Sequence, residues 1–129
     1  MKAFIATLFL LIAVAHVRSH PPPELKAHYD QCKKDNGITE DLGDSLNVED
    51  KKVKCFLACM MTKMGKMADG KVILEKEMEY ISMHFPNADE NLKKKVTECT
   101  TKANELTDQC EAAAIMYKCT KDKTGEPLN

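Results

Sequence analysis

The sequence contains no tryptophan, and phenylalanine and tyrosine together bring the aromatic fraction to only 5 %. A core built from such a chain must be filled by aliphatic and thioether side chains. No apolar run beyond the first residues approaches the about 20 residues that a membrane-crossing helix requires, so stable membrane insertion is not expected. No stretch alternates apolar and polar residues as a strand does, and there is no internal repeat. Positive charge is not clustered: 19 basic side chains stand against 20 acidic ones, a net charge of −1. That balance removes the phosphate-binding surface that nucleic acid needs and opposes adsorption to anionic lipid. Hydrolase signatures are missing as well, with neither G-x-S-x-G nor H-E-x-x-H present. Neither His28 nor His84 lies beside the adjacent cysteines and glycine-rich loop of a secreted calcium-dependent lipase, and Glu75, Glu77 and Glu79 read as a solvated helix face. No catalytic residue is assigned, and the chain is read as not an enzyme. The absence of any C-x-x-C argues against zinc, and no metal or cofactor is expected.

What is present begins with a leader. Lys2, an apolar run from Ala3 to Val14, and the small-x-small pattern Ala13-Val14-Ala15 have the form of a secretory signal. Cleavage is expected after Ala15 or after Ser19, making residues 1–19 a signal peptide and the product secreted and extracellular. Residues 20–129 are then one domain.

Helical periodicity fills that domain. Leu25, Tyr29 and Cys32 mark a first short helix that Asn36-Gly37 ends. The segment from Ile38 to Leu46 reads as one or two helical turns broken at Gly43. Asn47 is the expected N-cap of a central helix reaching about Lys66, with Val53, Phe56, Leu57, Met60, Met61 and Met64 in one broad stripe. After a turn at Asp69-Gly70, Leu74, Met78, Ile81 and Phe85 define another helix, closed by Pro86. Asn87-x-x-Glu90 has the form of a capping box before a helix whose apolar face is Leu92, Val96, Cys99 and Ala103. Asp108-x-x-Glu111 opens the last helix. Its middle, Ala112 to Tyr117, is uncharged on every side and should run through the centre of the domain. The fold class expected is all-α, with about six helices around a central apolar cavity.

Beyond the leader stand six cysteines, an even number in an exported chain, which reads as three disulfides. Cys55 and Cys59, four apart on a helix, hold their Cβ atoms roughly 5–6 Å apart, whereas a disulfide needs about 3.5–4.5 Å. Cys110 and Cys119 fall on opposite sides of one helix. Excluding both pairs leaves ten of the 15 connectivities that six cysteines allow, and geometry goes no further. The spacing Cys32-x22-Cys55-x3-Cys59-x39-Cys99-x10-Cys110-x8-Cys119, behind a leader and on a helical chain, resembles the six-cysteine odorant-binding proteins of insects. The x3 and x8 intervals are the specific part. The resemblance implies the pairing Cys32–Cys59, Cys55–Cys110 and Cys99–Cys119, which is compatible with both exclusions. Covalent bracing of this kind also lets a domain keep an apolar void that would otherwise cost contact energy.

The same resemblance implies a carrier that performs no chemistry. It would bind a small hydrophobic ligand, an odorant or pheromone, and move it through aqueous lymph toward membrane odorant receptors. Carriage of a non-odorant ligand outside sensory tissue is the alternative, and the protein is expected to be a monomer or weak homodimer. The expected lining comes from the central helix as Phe56, Leu57, Met60 and Met64, and from the next as Leu74, Met78, Ile81 and Phe85. Leu92, Val96, Ala114, Ile115, Met116 and Tyr117 complete it, with Leu128 as part of a lid. Thioethers adapt to several ligand shapes, although the same methionines also suit gap-filling in an aromatic-poor core. Met61 and Met67 are candidates for the surface or an interface. Tyr80, His84 and Tyr117 are candidate donors to a ligand oxygen, and His28 and His84 titrate near neutrality. The tail, residues 120–129, is short and charged and should lie across the surface.

Overall fold

A computed structural model describes residues 23–43 and 46–124. Among them are five helices: α1 (Pro23–Asp35), α2 (Lys51–Lys63), α3 (Leu74–His84), α4 (Glu90–Asn104) and α5 (Gln109–Thr124). The chain is all-α except for one small antiparallel hairpin, β1 (Met67–Ala68) with β2 (Lys71–Val72). The expected leader and its two cleavage points, and Leu128, lie outside the described residues.

Local chemistry explains the boundaries. Proline is tolerated in the first turn of a helix, where its missing N–H is not needed, and Pro23 opens α1. Gly37, at φ 66°, turns the chain out of it, while Asn36 Nδ2 donates to the Cys32 carbonyl at 2.8 Å. The segment after Gly37 is not helical in its described residues; Ile38 instead packs on Cys32 and Phe56. The cap of α2 is Asp50, whose carboxylate accepts from Lys52 N at 2.9 Å. Asn47, the sequence-based candidate, uses its side chain one turn earlier, accepting from Glu49 N. The α2 helix ends at Met64, before the expected Lys66, because Gly65 takes φ 77°. The cap of α4 is likewise Asp89 and not Asn87, with Leu92 N donating to it at 2.9 Å. Asp108 receives Cys110 N at 2.8 Å as α5 begins.

Helix α5 forms the centre. Ala112, Ala113, Ala114, Met116 and Tyr117 are all buried. Its run of alanines admits close approach, and it packs along the length of both α2 and α4. Leu57, Ala58, Met61, Ile81, Val96 and Cys99 fill the space between. Met61 and Met67 are core residues, at 0 % and 2 % exposure; the stripe of α2 is wide enough to bury Met61, and the hairpin folds Met67 inward. The first part of the expected surface tail, Thr120 to Thr124, continues α5, and Thr120 is buried.

Disulfides join α1 to α2 through Cys32–Cys59, α2 to α5 through Cys55–Cys110, and α4 to α5 through Cys99–Cys119. Beside the second, Lys54 Nζ meets Glu111 Oε1 at 2.9 Å. The remaining two helices are peripheral. Among the described residues the α1 backbone comes within 8 Å (Cα to Cα) of no helix but α2, and the α3 backbone of no helix but α4, so the backbones of α1 and α3 stand apart.

Candidate functional site

Between those two peripheral helices lies a hollow of about 790 Å³. Its floor is α2, through Phe56, Leu57, Met60 and Met64, with Tyr117 rising from α5. One wall is α1, through Leu25, His28 and Tyr29; the facing wall is α3, through Tyr80, Met83 and His84. Gly43 and Leu46 close it from the loop before α2. Glu24, Lys63, Met83 and His84 are exposed and form a mouth open to solvent.

Five residues of the expected lining, Phe56, Leu57, Met60, Met64 and Tyr117, meet at this cavity, together with Tyr80, His84 and His28, which the sequence singled out for their polar groups. The others are distributed elsewhere. Leu74 and Met78 border a shallow groove on another side of α3, together with Met83. Ile81, Val96, Ala114 and Met116 are buried, three of them at 1 % exposure or less, in solid packing. Phe85, Leu92 and Ile115 pack at the margin of that core. An apolar stripe identifies the buried side of a helix but does not say whether a neighbour fills the space in front of it. The α1 residues carried a readable signal, since Leu25 and Tyr29 share a face with Cys32. Leu46 had none, because it comes from a loop.

All three tyrosines of the chain line the cavity. The Tyr29 hydroxyl is engaged, donating to Asp41 Oδ1 and accepting from Leu42 N, both at 3.4 Å, which pins the loop after α1. Its ring meets Phe56 edge to face at 5.3 Å. Tyr80 is held differently. The Lys66 ammonium lies 3.4 Å from its ring centroid, and the His84 ring stacks on it at 4.0 Å, inclined by 19°. His84 Nδ1 is 3.1 Å from the Tyr80 carbonyl, an acceptor, so that nitrogen is the one that donates to it.

Behind Tyr80 is a buried charge pair. Glu77 is fully buried, not solvated, and its Oε2 is 3.8 Å from Lys66 Nζ. Residues two apart on a helix point in different directions, so Glu77 turns inward while Glu75 and Glu79 remain outside. Burial pushes the Glu77 carboxyl up, against the pull of Lys66, and burial pushes the Lys66 ammonium down, against the pull of Glu77. The Tyr80 hydroxyl is pushed up by burial and then by Glu77. Among the described residues no group of three or more His, Cys, Asp or Glu is placed to hold a metal ion, and no helix is long and apolar enough to cross a membrane.

The arrangement is that of a disulfide-braced helical domain with an open, mainly apolar hollow. The chain belongs to the PBP/GOBP family, whose profile matches residues 16–123. It is similar to general odorant-binding protein 72 of Anopheles gambiae, 28 % identical over 93 residues that cover 68 % of this chain and 77 % of that one. To general odorant-binding protein 56a of Drosophila melanogaster it is 27 % identical over 127 residues, 89 % of this chain and 86 % of the other. Odorant-binding protein 10 of Aedes aegypti is 26 % identical over 137 residues, 99 % and 94 % of the two chains. No solved structure matches.

Proposed function

We propose that this protein is a secreted, non-enzymatic carrier that takes a small hydrophobic odorant or pheromone into the α1–α3 cavity and moves it through aqueous lymph. The observation that carries the reading is the cavity, lodged between two helices whose backbones stand apart, in a member of this family. Its volume of about 790 Å³ falls within the roughly 300–1,000 Å³ usual for small-molecule sites. The driving force is removal of apolar surface from water, about 25 cal/mol per Å² before the costs of association. Phe56, Leu57, Met60 and Met64 supply the apolar floor, and the flexible thioethers let it fit guests of different outline. Residues 1–19 act as the signal peptide in this reading, and residues 20–129 form the carrier domain. The relatives' names, odorant-binding in each case, support the ligand class.

The test is uptake of a fluorescent probe such as N-phenyl-1-naphthylamine by the oxidised protein. One probe per chain is expected, displaced by volatile apolar compounds. Met60→Trp should block the floor and weaken uptake at least tenfold without loss of helix signal. Oxidised, folded protein that takes up no probe overturns the proposal.

A further inference from the structure

Both faces of the Tyr80 ring are covered, by the Lys66 ammonium 3.4 Å from the centroid and by the His84 imidazole 4.0 Å away and nearly parallel. Two groups so close to one centroid overlap if they share a face, so they occupy opposite faces. Tyr80 nonetheless lines the cavity. The parts of it left to meet a guest are the ring edge and the hydroxyl. The C–H edge and the hydroxyl hydrogen are electropositive, since the negative end of the ring quadrupole lies on its faces, and the hydroxyl is a hydrogen-bond donor. A cation held on one face draws π density toward itself and away from the edge. Unlike that of Tyr29, the Tyr80 hydroxyl makes no hydrogen bond within the described residues.

The surroundings fix this orientation. Lys66 sits where the chain leaves α2 for the hairpin, and its charge is opposed by Glu77 from α3, one turn before Tyr80. His84, one turn after Tyr80, is tied back to the Tyr80 carbonyl. The ring is therefore held by residues of its own helix on one side and by the α2–β1 connection on the other. Because Glu77 offsets Lys66, the donor does not demand a charged guest.

We infer that Tyr80, clamped between Lys66 and His84, is the specificity-determining donor of the cavity, selecting guests with an uncharged acceptor oxygen (a ketone, ester or ether) over hydrocarbons of the same shape. The inference rests on the carrier reading and adds the chemistry of the guest and the residue that reads it.

The experiment compares acetophenone with cumene, two guests of nearly the same outline in which a carbonyl replaces a CH–CH₃, as displacers of N-phenyl-1-naphthylamine. One hydrogen bond is worth about 0.5–1.5 kcal/mol net. Tyr80→Phe, which keeps the ring and its clamp, should weaken acetophenone about 2- to 10-fold while leaving cumene unchanged. A selective loss of acetophenone in Tyr117→Phe, and not in Tyr80→Phe, assigns the donor to Tyr117 and overturns the inference. The paired replacement Lys66→Met with Glu77→Leu, which removes the cation from the ring face together with the buried carboxylate, should reduce the acetophenone affinity selectively. Equal loss of both guests in Tyr80→Phe, or a wild-type ratio in it, overturns the inference while leaving carriage intact. Failure of the wild-type protein to bind the probe or either guest overturns carriage itself and the selectivity with it.

Discussion

At 3.8 Å, Lys66 Nζ and Glu77 Oε2 attract one another from beyond hydrogen-bond distance, at 3 % and 0 % residue exposure, and neither Glu77 oxygen has a hydrogen-bond donor among the described residues. Burying two charges costs several kcal/mol each, and a mutual attraction of this geometry repays it poorly. The two ways of removing the pair should therefore differ in sign. Lys66→Met alone leaves a buried carboxylate without its cation and should cost about 3–5 kcal/mol. Lys66→Met with Glu77→Leu should be neutral or stabilising by about 1–4 kcal/mol. Urea denaturation of the two variants at pH 7 checks the contrast, and equal destabilisation would show the ion pair to be net favourable.

The same carboxyl makes a pH prediction. Because burial raises the folded-state pKa of Glu77, at pH between the unfolded and folded values the native state holds a proton that the unfolded state has released. Its contribution is then fully present below the unfolded value of 4.5 and is lost as pH rises through the folded value. The stability of the wild type relative to Glu77→Gln should decrease as pH is raised from about 4.5, read by denaturation at a series of pH values; a flat difference would place the carboxyl in water. The spacing carries part of this: Glu77 stands three residues after Leu74 and four before Ile81, on the apolar face of α3, whereas Glu75 and Glu79 lie off it. The burial of Lys66 opposite is set by the tertiary fold.

The hairpin itself is the element with the most specific anchorage. Asp69 and Gly70, at φ 53° and 76°, make the two-residue turn that matches strand twist. Asn104, at the end of α4, then clips β2 from the side: Val72 N donates to its Oδ1 at 2.8 Å, and its Nδ2 donates to the Val72 carbonyl at 3.0 Å. Lys71 Nζ donates to the carbonyls of Asn104 and Leu106 as that helix ends. Asn104→Ala should cost about 1–3 kcal/mol, since it strands a backbone amide next to a buried side chain. Faster hydrogen exchange at Val72, with α1 unchanged, is the expected local signature. The turns expected between Ile38 and Leu46 lack a stripe at the helical period and are not helical in the described residues. The five helices were readable, because Leu74, Met78 and Ile81, or Leu92, Val96 and Cys99, repeat at that period over about two turns. Caps were less so: Asn47 and Asn87 are as good in composition as Asp50 and Asp89, and the choice depends on where the incoming loop is held. The hairpin escaped notice because two-residue strands are too short to show alternation.

At the scale of the whole molecule, three helices, α2, α4 and α5, make the solid part, and α1 and α3 are the two walls set against it. This division explains why the cavity could not be drawn from apolar stripes. Ile81, Val96 and Met116 answer to the same periodicity as Phe56 and Met60, but they face packed neighbours, whereas the latter face the space that α1 and α3 leave open. It also assigns the disulfides different work. Their separations of 27, 55 and 20 residues correspond to unfolded-state restrictions of about 3–4.5 kcal/mol each, so chain entropy hardly distinguishes them. Position does. Cys32–Cys59 is the covalent tie of a wall, whereas Cys99–Cys119 joins two helices already packed along their length. Cys32→Ser with Cys59→Ser should weaken probe uptake at least tenfold while circular dichroism keeps most of its helix signal, because α1 loses its place over the floor. Cys99→Ser with Cys119→Ser should lower the denaturation midpoint by a comparable amount yet bind the probe almost normally while folded. Uptake unaffected by loss of the first bridge would mean that α1 is held by Tyr29, Ile38 and Phe56 alone, and that the cavity's front wall is a product of packing more than of the covalent tie.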